Sequence, residues 1–452
     1  MPFSMYDADA CREAIRTHNH ELRAVLHVVA EPSRSPSGKP SRSPSTNGES
    51  RPLSGVPFVL KDTWDTAGIP TTGGSFRYRD RVPSSSAPVY EALVRQGAVL
   101  LGKSNLGDMA FSAESDNHLL GPVQNPHDRT RTAGGSTGGG AAAVAAGLAA
   151  FDWGTDFGGS VRIPAAFCGV VGLRLSQAAW PVEHHHFPRM GPFFWPWLGM
   201  GPLARRVAGI RCLVGALAEL RRADLPPAGP FGDEVALLAP DRAHLGAWPD
   251  FVEETTRALR ARGVLARVEH GLPSPSAVRA VFDGYLCAHF TRLAGPGELT
   301  VSEGLRGVLA GLASWGRLDK RVHPNTAAAL AVCGVGALLL RGQRGRFDAR
   351  LAMLRDATAR VWSGGRLVVT PTTTLPAPRH GRSLLAPSLL SFAKLGNVVD
   401  ATAIALPFGR FPDGLPRSLQ ILGPPGSEDA VLALAERIEM SEPQEHSILP
   451  GG

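Results

Sequence analysis

The apolar residues of this chain fall into short continuous runs that alternate with longer stretches of helical periodicity. The runs that have the length and composition of buried strands lie at 56–62, 98–104, 235–240, 366–371, 402–408 and 418–423, with a shorter one near 151–154. The stretches that predict helices lie at 6–30, 87–97, 138–150 and 160–167. Strands and helices that alternate in this way predict an α/β fold with a sheet covered by helices.

Two regions depart from this alternation. Residues 31–54 are rich in Pro, Ser and Arg, which bury too little apolar surface to offset the entropy cost of ordering, so a mobile insertion is predicted. Residues 250–345 have a mostly helical pattern and could form a cap or a second lobe. The longest apolar run, from Ala327 to Leu340, is shorter than the roughly 20 residues of a membrane span. It is therefore predicted to be a buried helix.

The composition excludes several classes of protein. Hydrophobic residues make up 43% and charged residues 19%, which is typical of a globular protein. A net charge of +7 over 452 residues, without a basic run interleaved with aromatics, argues against nucleic-acid binding. The five cysteines are dispersed, which disfavours a disulfide framework or zinc site and fits a reducing compartment. With no secretory signal pattern at the N-terminus, we expect a cytoplasmic protein that does not bind membranes.

Three segments carry candidate chemistry, and each has an ordinary explanation when taken alone. Lys61 ends an apolar strand, where a lysine usually extends to solvent. Residues 133–140 form a glycine-rich turn around Ser136, and such turns often bind phosphate, although this one lacks the Gly-Lys-Ser/Thr ending of a P-loop. Ser160 follows two glycines before a predicted helix, where a serine is commonly only an N-cap.

The Ser160 segment can also stabilise a negative charge. Glycines allow successive backbone N–H groups to point into one concavity beside the serine hydroxyl. The candidate oxyanion-hole donors are the N–H groups of Phe157, Gly158, Gly159 and Ser160. Losing one such donor typically slows an enzyme about 100- to 1000-fold.

Together the segments resemble the amidase signature family, over about residues 11–440. GVPFVLKD resembles its lysine strand, GAVLLGKSNLGDMAF its GAxxxGKxN element, and AGGSTGGGAAAVAAG its glycine–serine turn. GTDFGGSVRIPAAFCGVVGLR is similar to its nucleophile segment, and VVTPTTTLPAP and GLPRSLQILGP to its later strands. The resemblance implies an amidase signature fold, with a large mixed twisted β-sheet covered by helices on both faces. It also implies a single domain over residues 1–452.

The resemblance assigns three catalytic residues. Ser160 falls on the nucleophile, Ser136 on the relay serine and Lys61 on the catalytic lysine. A serine hydroxyl needs an adjacent base, and burial makes a lysine neutral enough to serve as one. The family further implies a cis peptide between Gly135 and Ser136, an acyl–Ser160 intermediate, and no metal or cofactor.

Other residues of these segments have two open interpretations. Gly135, Thr137, Asp156 and Arg162 either contact the substrate or fix the loops, and loop fixing is favoured for Asp156 and Arg162. The segment NVVDATAIALP departs from the family pattern N-x-x-G-x-P-A at Asp400 and Thr402, as a minority of relatives do.

Two further patterns are weaker. His184, His185 and His186 are adjacent, so they cannot all bind one ion without distortion, and an exposed loop is expected. Residues 187–199 are rich in aromatics and proline. They either line an apolar acyl or amine pocket or merely pack together; the aromatic residues are Phe193, Phe194, Trp195 and Trp197.

Three functions remain open at this point. The first is a stand-alone amidase that cleaves a small or medium carboxamide to an acid and an amine or ammonia. The second is a glutaminase-type amidotransferase subunit that needs a partner chain. The third is a non-catalytic binding protein, which the intact Lys61, Ser136 and Ser160 disfavour. The expected partner is a small-molecule amide, and a homodimer is left open.

Overall fold

The computed structural model describes residues 2–29, 51–182, 191–225, 228–290 and 322–439. The strands are β1 (Val25–Val28), β2 (Pro57–Lys61), β3 (Val99–Ser104), β4 (Phe151–Asp156), β5 (Val171–Arg174), β6 (Gly199–Ala204), β7 (Glu234–Leu237), β8 (Leu265–Val268), β9 (Leu367–Pro371), β10 (Thr402–Arg410) and β11 (Pro416–Gly423). The α-helices are α1 (Ala8–Leu22), α2 (Pro88–Arg95), α3 (Gly138–Ala145), α4 (Arg162–Cys168), α5 (Val207–Ala216), α6 (Phe251–Arg260), α7 (Pro275–Ala288), α8 (Pro324–Leu340), α9 (Arg344–Ser363), α10 (Ser391–Val398) and α11 (Glu428–Glu439).

All eleven strands belong to one mixed sheet. Its order is β1-β3-β2-β4-β6-β5-β10-β11-β9-β7-β8. Strand β2 pairs in parallel with β3 and β4, whereas β4, β6, β5, β10 and β11 pair antiparallel in succession. This architecture confirms the α/β mixed sheet expected from the sequence.

Both faces of the inner strands of the sheet are buried, as in β2, β4 and β6. Along β2, Phe58 and Leu60 join one hydrophobic cluster and Val59 joins another, because successive side chains point to opposite faces. Helices α2, α5 and α11 contribute to the first cluster, and α1 and α3 to the second. This two-sided burial explains why the strands appear in the sequence as continuous apolar runs rather than as alternating patterns.

Helix α3 lies unusually close to the sheet because it consists only of Gly, Ala and Val. A Cβ atom at Gly139 would lie 2.4 Å from the carbonyl oxygens of Ala24 and Asn105. The short side chains therefore let α3 pack directly on the central strands, with its N-terminal turn above the end of β2. The turn that precedes α3 contains Ser136.

The N-terminal helix is shorter than predicted. Helix α1 ends at Leu22, and Arg23 takes a left-handed conformation with φ of 54°. The Asn19 side chain then binds both the N–H and the carbonyl of Val25, which begins β1. The apolar residues at 25–28 belong to an edge strand paired with β3, so the predicted helix over 6–30 was wrong beyond Leu22.

The sequence analysis did not predict β5, β6 or β8. Strand β6 has the sequence GMGPLA, whose Gly and Pro have low strand propensity, yet it pairs with β4 on one side and β5 on the other. Strand β8 lies inside residues 250–345 and pairs with β7 at the sheet edge, so this region is not wholly helical. The predicted insertion at 31–54 lies largely outside the described residues.

The apolar run at Ala327–Leu340 is helical, as predicted, but one side of it is not buried. Val332, Leu338 and Leu339 of α8 are each about 70% exposed, whereas Cys333 is buried. The expectation of a fully buried helix was therefore wrong. Within the described ranges no single helix has both the length and the hydropathy to cross a membrane, and the bent pair α8–α9 meets those criteria only when the two helices are taken together.

Strand β6 lies close to β5 at Gly201, where a Cβ would lie 1.9 Å from the Leu173 carbonyl oxygen. We predict that Gly201→Ala destabilises the fold by more than about 2 kcal/mol, because the backbone of Leu173 in β5 must move to make room for the methyl group. The matched control is Gly215→Ala in α5, where a Cβ meets nothing within 4 Å. This control should stabilise by about 0.5–1 kcal/mol through helix propensity. Urea unfolding measures both, and equal stabilities would contradict the packing of β6 against β5.

Candidate active site

Lys61 ends β2 and is completely buried. Its Nζ lies 2.9 Å from Ser136 Oγ, 3.1 Å from the Thr155 carbonyl oxygen and 3.0 Å from Thr155 Oγ1. Burial lowers the pKa of Lys61 to about 7, although the charges of Asp152 and Asp156 oppose that shift. The lysine is therefore largely uncharged just above neutral pH.

Ser136 is held on the turn that precedes α3. The Gly135–Ser136 peptide is cis, which confirms the expectation drawn from the resemblance. The Ser115 hydroxyl donates to the Ser136 carbonyl at 3.1 Å and accepts from the Gly138 N–H at 2.8 Å. A Cβ at Gly135 would lie 2.6–2.7 Å from the backbone of residues 112–114, so only glycine fits there. The role of Gly135 is thus explained by the space available.

Ser160 lies in the turn between β4 and α4 and is half-buried. The Thr137 N–H donates to the Ser160 carbonyl at 3.1 Å, which joins this turn to the one that carries Ser136. Thr137 itself is buried and packs against Gly154, as a loop-fixing residue would. The structure thus brings the two serine turns together above Lys61.

Asp156, at the end of β4, organises the nucleophile turn. Its Oδ1 accepts from the Gly159 N–H at 2.9 Å, and its Oδ2 accepts from the Val161 N–H at 3.1 Å. The Gly159 N–H is consequently occupied within the protein. This corrects the predicted set of oxyanion-hole donors, which includes Gly159.

Arg162 completes this anchor from the first turn of α4. Its Nε and Nη2 donate to the Asp156 carboxylate at 3.0 and 2.8 Å, and both side chains are completely buried. Burial alone would raise the pKa of Asp156, but the charge and hydrogen bonds of Arg162 outweigh it and hold the pKa well below its usual range. Asp156 is therefore always ionised in the folded protein.

The remaining donors of Arg162 bind groups from the C-terminal part of the chain. Nη1 donates to the Ala393 carbonyl at 2.7 Å and to Gln420 Oε1 at 2.5 Å, and Nη2 donates to Asn397 Oδ1 at 2.7 Å. Because these partners occupy the guanidinium, the contacts favour loop fixing over substrate binding for Arg162. The motifs that contain Asn397 and Gln420 are visible in the sequence, but their pattern assigns the two residues no role.

Aromatic rings surround Phe157, the residue after Asp156. Its ring centroid lies 5.9 Å from that of Phe194, 6.1 Å from Trp197 and 5.7 Å from Phe282. Phe193 stacks on Tyr285 at 5.8 Å, while Phe194 and Trp197 are buried. The cluster is thus both packed core and the apolar surroundings of the nucleophile turn. Trp195 is half-buried.

The histidines at 184–186 and the residues 187–190 lie outside the described residues. In the part of the chain that the structure describes, no group of three or more His, Cys, Asp or Glu side chains could hold a metal ion.

Asp400, one of the two departures from the family pattern, has a structural explanation. It takes a left-handed conformation with φ of 50° and accepts from the backbone N–H groups of Gln177 and Ala178. It also pairs with the buried Arg174 at 3.0 Å. A carboxylate at this position therefore caps the turn after β5. Thr402, the other departure, donates to Glu428 at 3.3 Å.

Comparisons with known proteins identify the family of this chain. The amidase family model matches residues 8–268. A glutamyl-tRNA(Gln) amidotransferase subunit from Methanosarcina barkeri is 30% identical over 87% of this chain and 86% of its own. The putative amidase AmiB2 of Mycobacterium bovis is 29% identical over 88% and 84% of the two chains.

Two solved structures share the fold. A 6-aminohexanoate cyclic dimer hydrolase in complex with substrate has a TM-score of 0.73 at 23% identity, covering 97% of this chain and 93% of its own. A glutamyl-tRNA(Gln) amidotransferase subunit from Thermotoga maritima has a TM-score of 0.72 at 22% identity, covering 99% and 97%. The chain belongs to the amidase family, the amidase signature enzymes that cleave amides.

The Asp156–Arg162 pair should be the main electrostatic support of the nucleophile turn. We predict that Asp156→Asn lowers the free energy of unfolding by about 3–5 kcal/mol at pH 7, because it leaves the buried guanidinium uncompensated. The pKa of Asp156 is depressed in the folded state, so its contribution is present above the unfolded value near pH 4 and is lost as the pH falls further.

Denaturant unfolding of wild type and Asp156→Asn at several pH values measures this difference. The gap between the two proteins should narrow as the pH falls below about 4. A control is Glu253→Gln, which removes an exposed ion pair with Arg257 and should change stability by less than about 1 kcal/mol. If Asp156→Asn also changed the free energy of unfolding by less than about 1 kcal/mol, the Asp156–Arg162 pair would not be the support of the nucleophile turn.

Proposed function

We propose that this protein hydrolyses the C–N bond of a linear carboxamide to an acid and an amine or ammonia. Ser160 is the nucleophile, Ser136 relays its proton, and Lys61 is the base. The observation that carries this assignment is the buried Lys61 amine, whose pKa is lowered to about 7 and which contacts the Ser136 hydroxyl at 2.9 Å.

The contacts of Lys61 suit a neutral amine. A neutral amine has two N–H donors and one lone pair, and Thr155 offers two acceptors, its carbonyl oxygen and its hydroxyl. With both donors directed to Thr155, the lone pair faces Ser136 and accepts its proton. In the proposed relay Ser136 then accepts the proton of Ser160, whose turn is joined to that of Ser136 by the hydrogen bond from the Thr137 N–H to the Ser160 carbonyl.

The reaction follows from this relay. The Ser160 oxygen attacks the amide carbon, and its proton passes through Ser136 to Lys61. The backbone N–H groups of Phe157, Gly158 and Ser160 serve as the oxyanion hole, since Gly159 is bound to Asp156. The proton then returns through Ser136 to the departing nitrogen, which leaves an ester on Ser160. A water molecule, activated by the same relay, releases the acid and regenerates the free serine.

The aromatic surroundings of Phe157 support a substrate with an apolar group beside the scissile bond. The charged side chains Asp156 and Arg162 are bound to each other, and Lys394 is bound to Asp283 at 2.5 Å. Rings rather than free charges therefore surround the nucleophile turn among the described residues. An apolar acyl or amine group fits this setting better than a zwitterionic amino acid does.

The second candidate is a glutaminase-type amidotransferase subunit, and the 30% identity to proteins of that name supports it. Such a protein should copurify with a partner chain and should turn over glutamine in strong preference to apolar amides. Turnover of apolar amides by the isolated chain favours the stand-alone amidase.

We also propose a cytoplasmic location. All five cysteines are free thiols that form no disulfide, and four of them are buried. Free thiols are typical of a reducing compartment such as the cytoplasm. The homodimer left open by the sequence stays a prediction.

The nucleophile assignment predicts that a fluorophosphonate probe labels wild type on Ser160 and leaves Ser160→Ala unlabelled. In a hydrolysis screen over aryl, alkyl and glutamine amides, Ser160→Ala should lose more than about a thousandfold in kcat/KM. The Ser112→Ala variant serves as the control, since it changes a nearby serine outside the relay. Labelling of another serine would reject the assignment, and a non-catalytic protein would show neither label nor turnover.

The base assignment predicts the pH dependence. Lys61 must be deprotonated to act, so kcat/KM should rise with pH up to about 7 and level off above it. Replacing Lys61 with alanine should remove this rise together with most of the activity. Initial rates from pH 5 to 9 on one amide measure it. A profile flat below pH 7 would mean that another group supplies the base.

A further inference from the structure

A second ionisable group lies beside the relay without belonging to it. Asp152 is on β4 and is completely buried. Its Oδ1 accepts from the Ser104 hydroxyl at 2.7 Å, and its Oδ2 has no hydrogen-bond partner among the residues that the structure describes. A buried carboxylate oxygen without a partner is costly, so its presence calls for an explanation from its surroundings.

The strand register places Asp152 next to Lys61. Val59 pairs with Asp152 in the parallel β2–β4 ladder, so Lys61, two residues on, lies beside Gly154. Positions two apart on a strand share a face, which puts Asp152 and Lys61 on the same side of the sheet. On the other side of β2, Lys61 pairs with Ser104. The Ser104–Asp152 hydrogen bond therefore bridges β2 next to the lysine.

Helix α3 closes this face over the carboxylate. A Cβ at Gly140 would lie 2.3 Å from Asp152 Oδ2, so the glycine leaves the space that the carboxylate fills. The helix contributes only Gly, Ala and Val here, and the Arg205 guanidinium binds its carbonyls at Val144 and Ala145, near the opposite end.

The charges that face Lys61 are thus few. Strand β4 supplies Asp152 and Asp156, β3 supplies the neutral Ser104, and α3 supplies none. The Asp156 charge is already paired with Arg162. Of the two described carboxyls that act on Lys61, Asp152 is therefore the one without an ion-pair partner in the described ranges.

We propose that Asp152 is a positioning residue for the reaction, whose carboxylate stabilises the ammonium that forms when Lys61 accepts the Ser160 proton through Ser136. Before the transfer the pair is a carboxylate and a neutral amine, and afterwards it is a carboxylate and an ammonium. The proton comes from Ser160 and returns to the leaving nitrogen, so Asp152 itself gains and loses nothing. This inference rests on the proposed function of Lys61.

The titration of the two groups supports this pairing. Burial lowers the pKa of Lys61 to about 7, and the Asp152 charge is the largest influence that opposes this lowering. Burial likewise raises the pKa of Asp152 to about 7, while Ser104 and Lys61 oppose that rise. Each group therefore favours the charged form of the other, and the proton transfer requires Asp152 to be ionised while Lys61 is neutral. Without the carboxylate, Lys61 would be a weaker base.

The test compares wild type with Asp152→Asn, which keeps the shape and the acceptor for Ser104. We expect the acid limb of kcat/KM to move down by about one pH unit or more, and the plateau to fall about tenfold. The matched control is Glu428→Gln, another buried carboxyl, which binds Trp180 and Thr402 away from Lys61. Its acid limb should coincide with that of wild type.

A second measurement does not depend on turnover. Titration of ¹³C-labelled lysine by NMR, with the Lys61 signal assigned by its loss in Lys61→Ala, gives the midpoint of Lys61 directly. This midpoint should move down in Asp152→Asn. The Lys61 midpoint should also move down, but by less, in Ser104→Ala, because loss of the Ser104 hydrogen bond favours the neutral form of Asp152. This second variant provides the test if Asp152→Asn does not fold.

Equal Lys61 midpoints in wild type, Ser104→Ala and Asp152→Asn would overturn the proposal, as would a fall in rate with an unmoved acid limb. Failure of the proposed function has a different signature, because wild type itself would then show no fluorophosphonate label on Ser160. In that event the NMR midpoints still decide whether Asp152 and Lys61 are coupled.

Discussion

The exclusion of water from Lys61 is the constraint on which the rest of the site depends. An ammonium in this position would lose its hydration and gain only the oxygens of Thr155 and Ser136, so burial favours the neutral amine. The small residues of α3 make this burial possible, because larger side chains would hold the helix away from β2 and β4. The glycines and alanines around the relay thus serve the chemistry indirectly, by controlling how closely the helix approaches the sheet.

Charged and neutral groups have different roles in the site. The Asp156–Arg162 pair is fully buried, doubly hydrogen-bonded and permanently ionised, so it holds the nucleophile turn without taking part in proton transfer. Lys61, by contrast, has its pKa near the pH at which it would work. Asp156 stays charged although it is fully buried, because the charge of Arg162 compensates it. Equal burial favours the neutral form of Lys61, because its direct partners are the neutral hydroxyls of Ser136 and Thr155.

The parts of this structure that depend on local sequence patterns were predicted from the sequence. The apolar runs at 56–62 and 98–104 predicted two adjacent strands, β2 and β3, and the glycine–serine segments located both turns. The cis peptide was expected from the family resemblance that those segments carry. Strand β6 could not be predicted in this way, because its conformation depends on pairing with β4 and β5. The residues of β1 were predicted to belong to the N-terminal helix, because their apolar residues continue its pattern. The engagement of the Gly159 N–H by Asp156 was missed for a related reason. It depends on how the aspartate side chain folds back over its own turn, which spacing along the chain does not reveal.

The site also joins regions that are distant in the sequence. Lys61, Ser136 and Ser160 all lie within residues 8–268, the part matched by the family model, whereas Asn397 and Gln420, which hold Arg162, lie outside it. The sheet order explains this, since β10 and β11 return to the centre of the sheet beside β5. The aromatic neighbours of Phe157 are divided in the same way, with Trp197 inside the matched region and Phe282 beyond it. The N-terminal part therefore carries the reacting groups, and the C-terminal part both anchors their turn and shapes its apolar surroundings. Helix α7 reaches the nucleophile turn through Phe282, which lies against Phe157 and Gly158. Helix α10 reaches it through Ala393 and Asn397, which contact Gly159, Asp156 and Arg162. A change in α7 can therefore alter the apolar surroundings without removing a hydrogen bond of the anchor, whereas a change in α10 acts on the anchor itself.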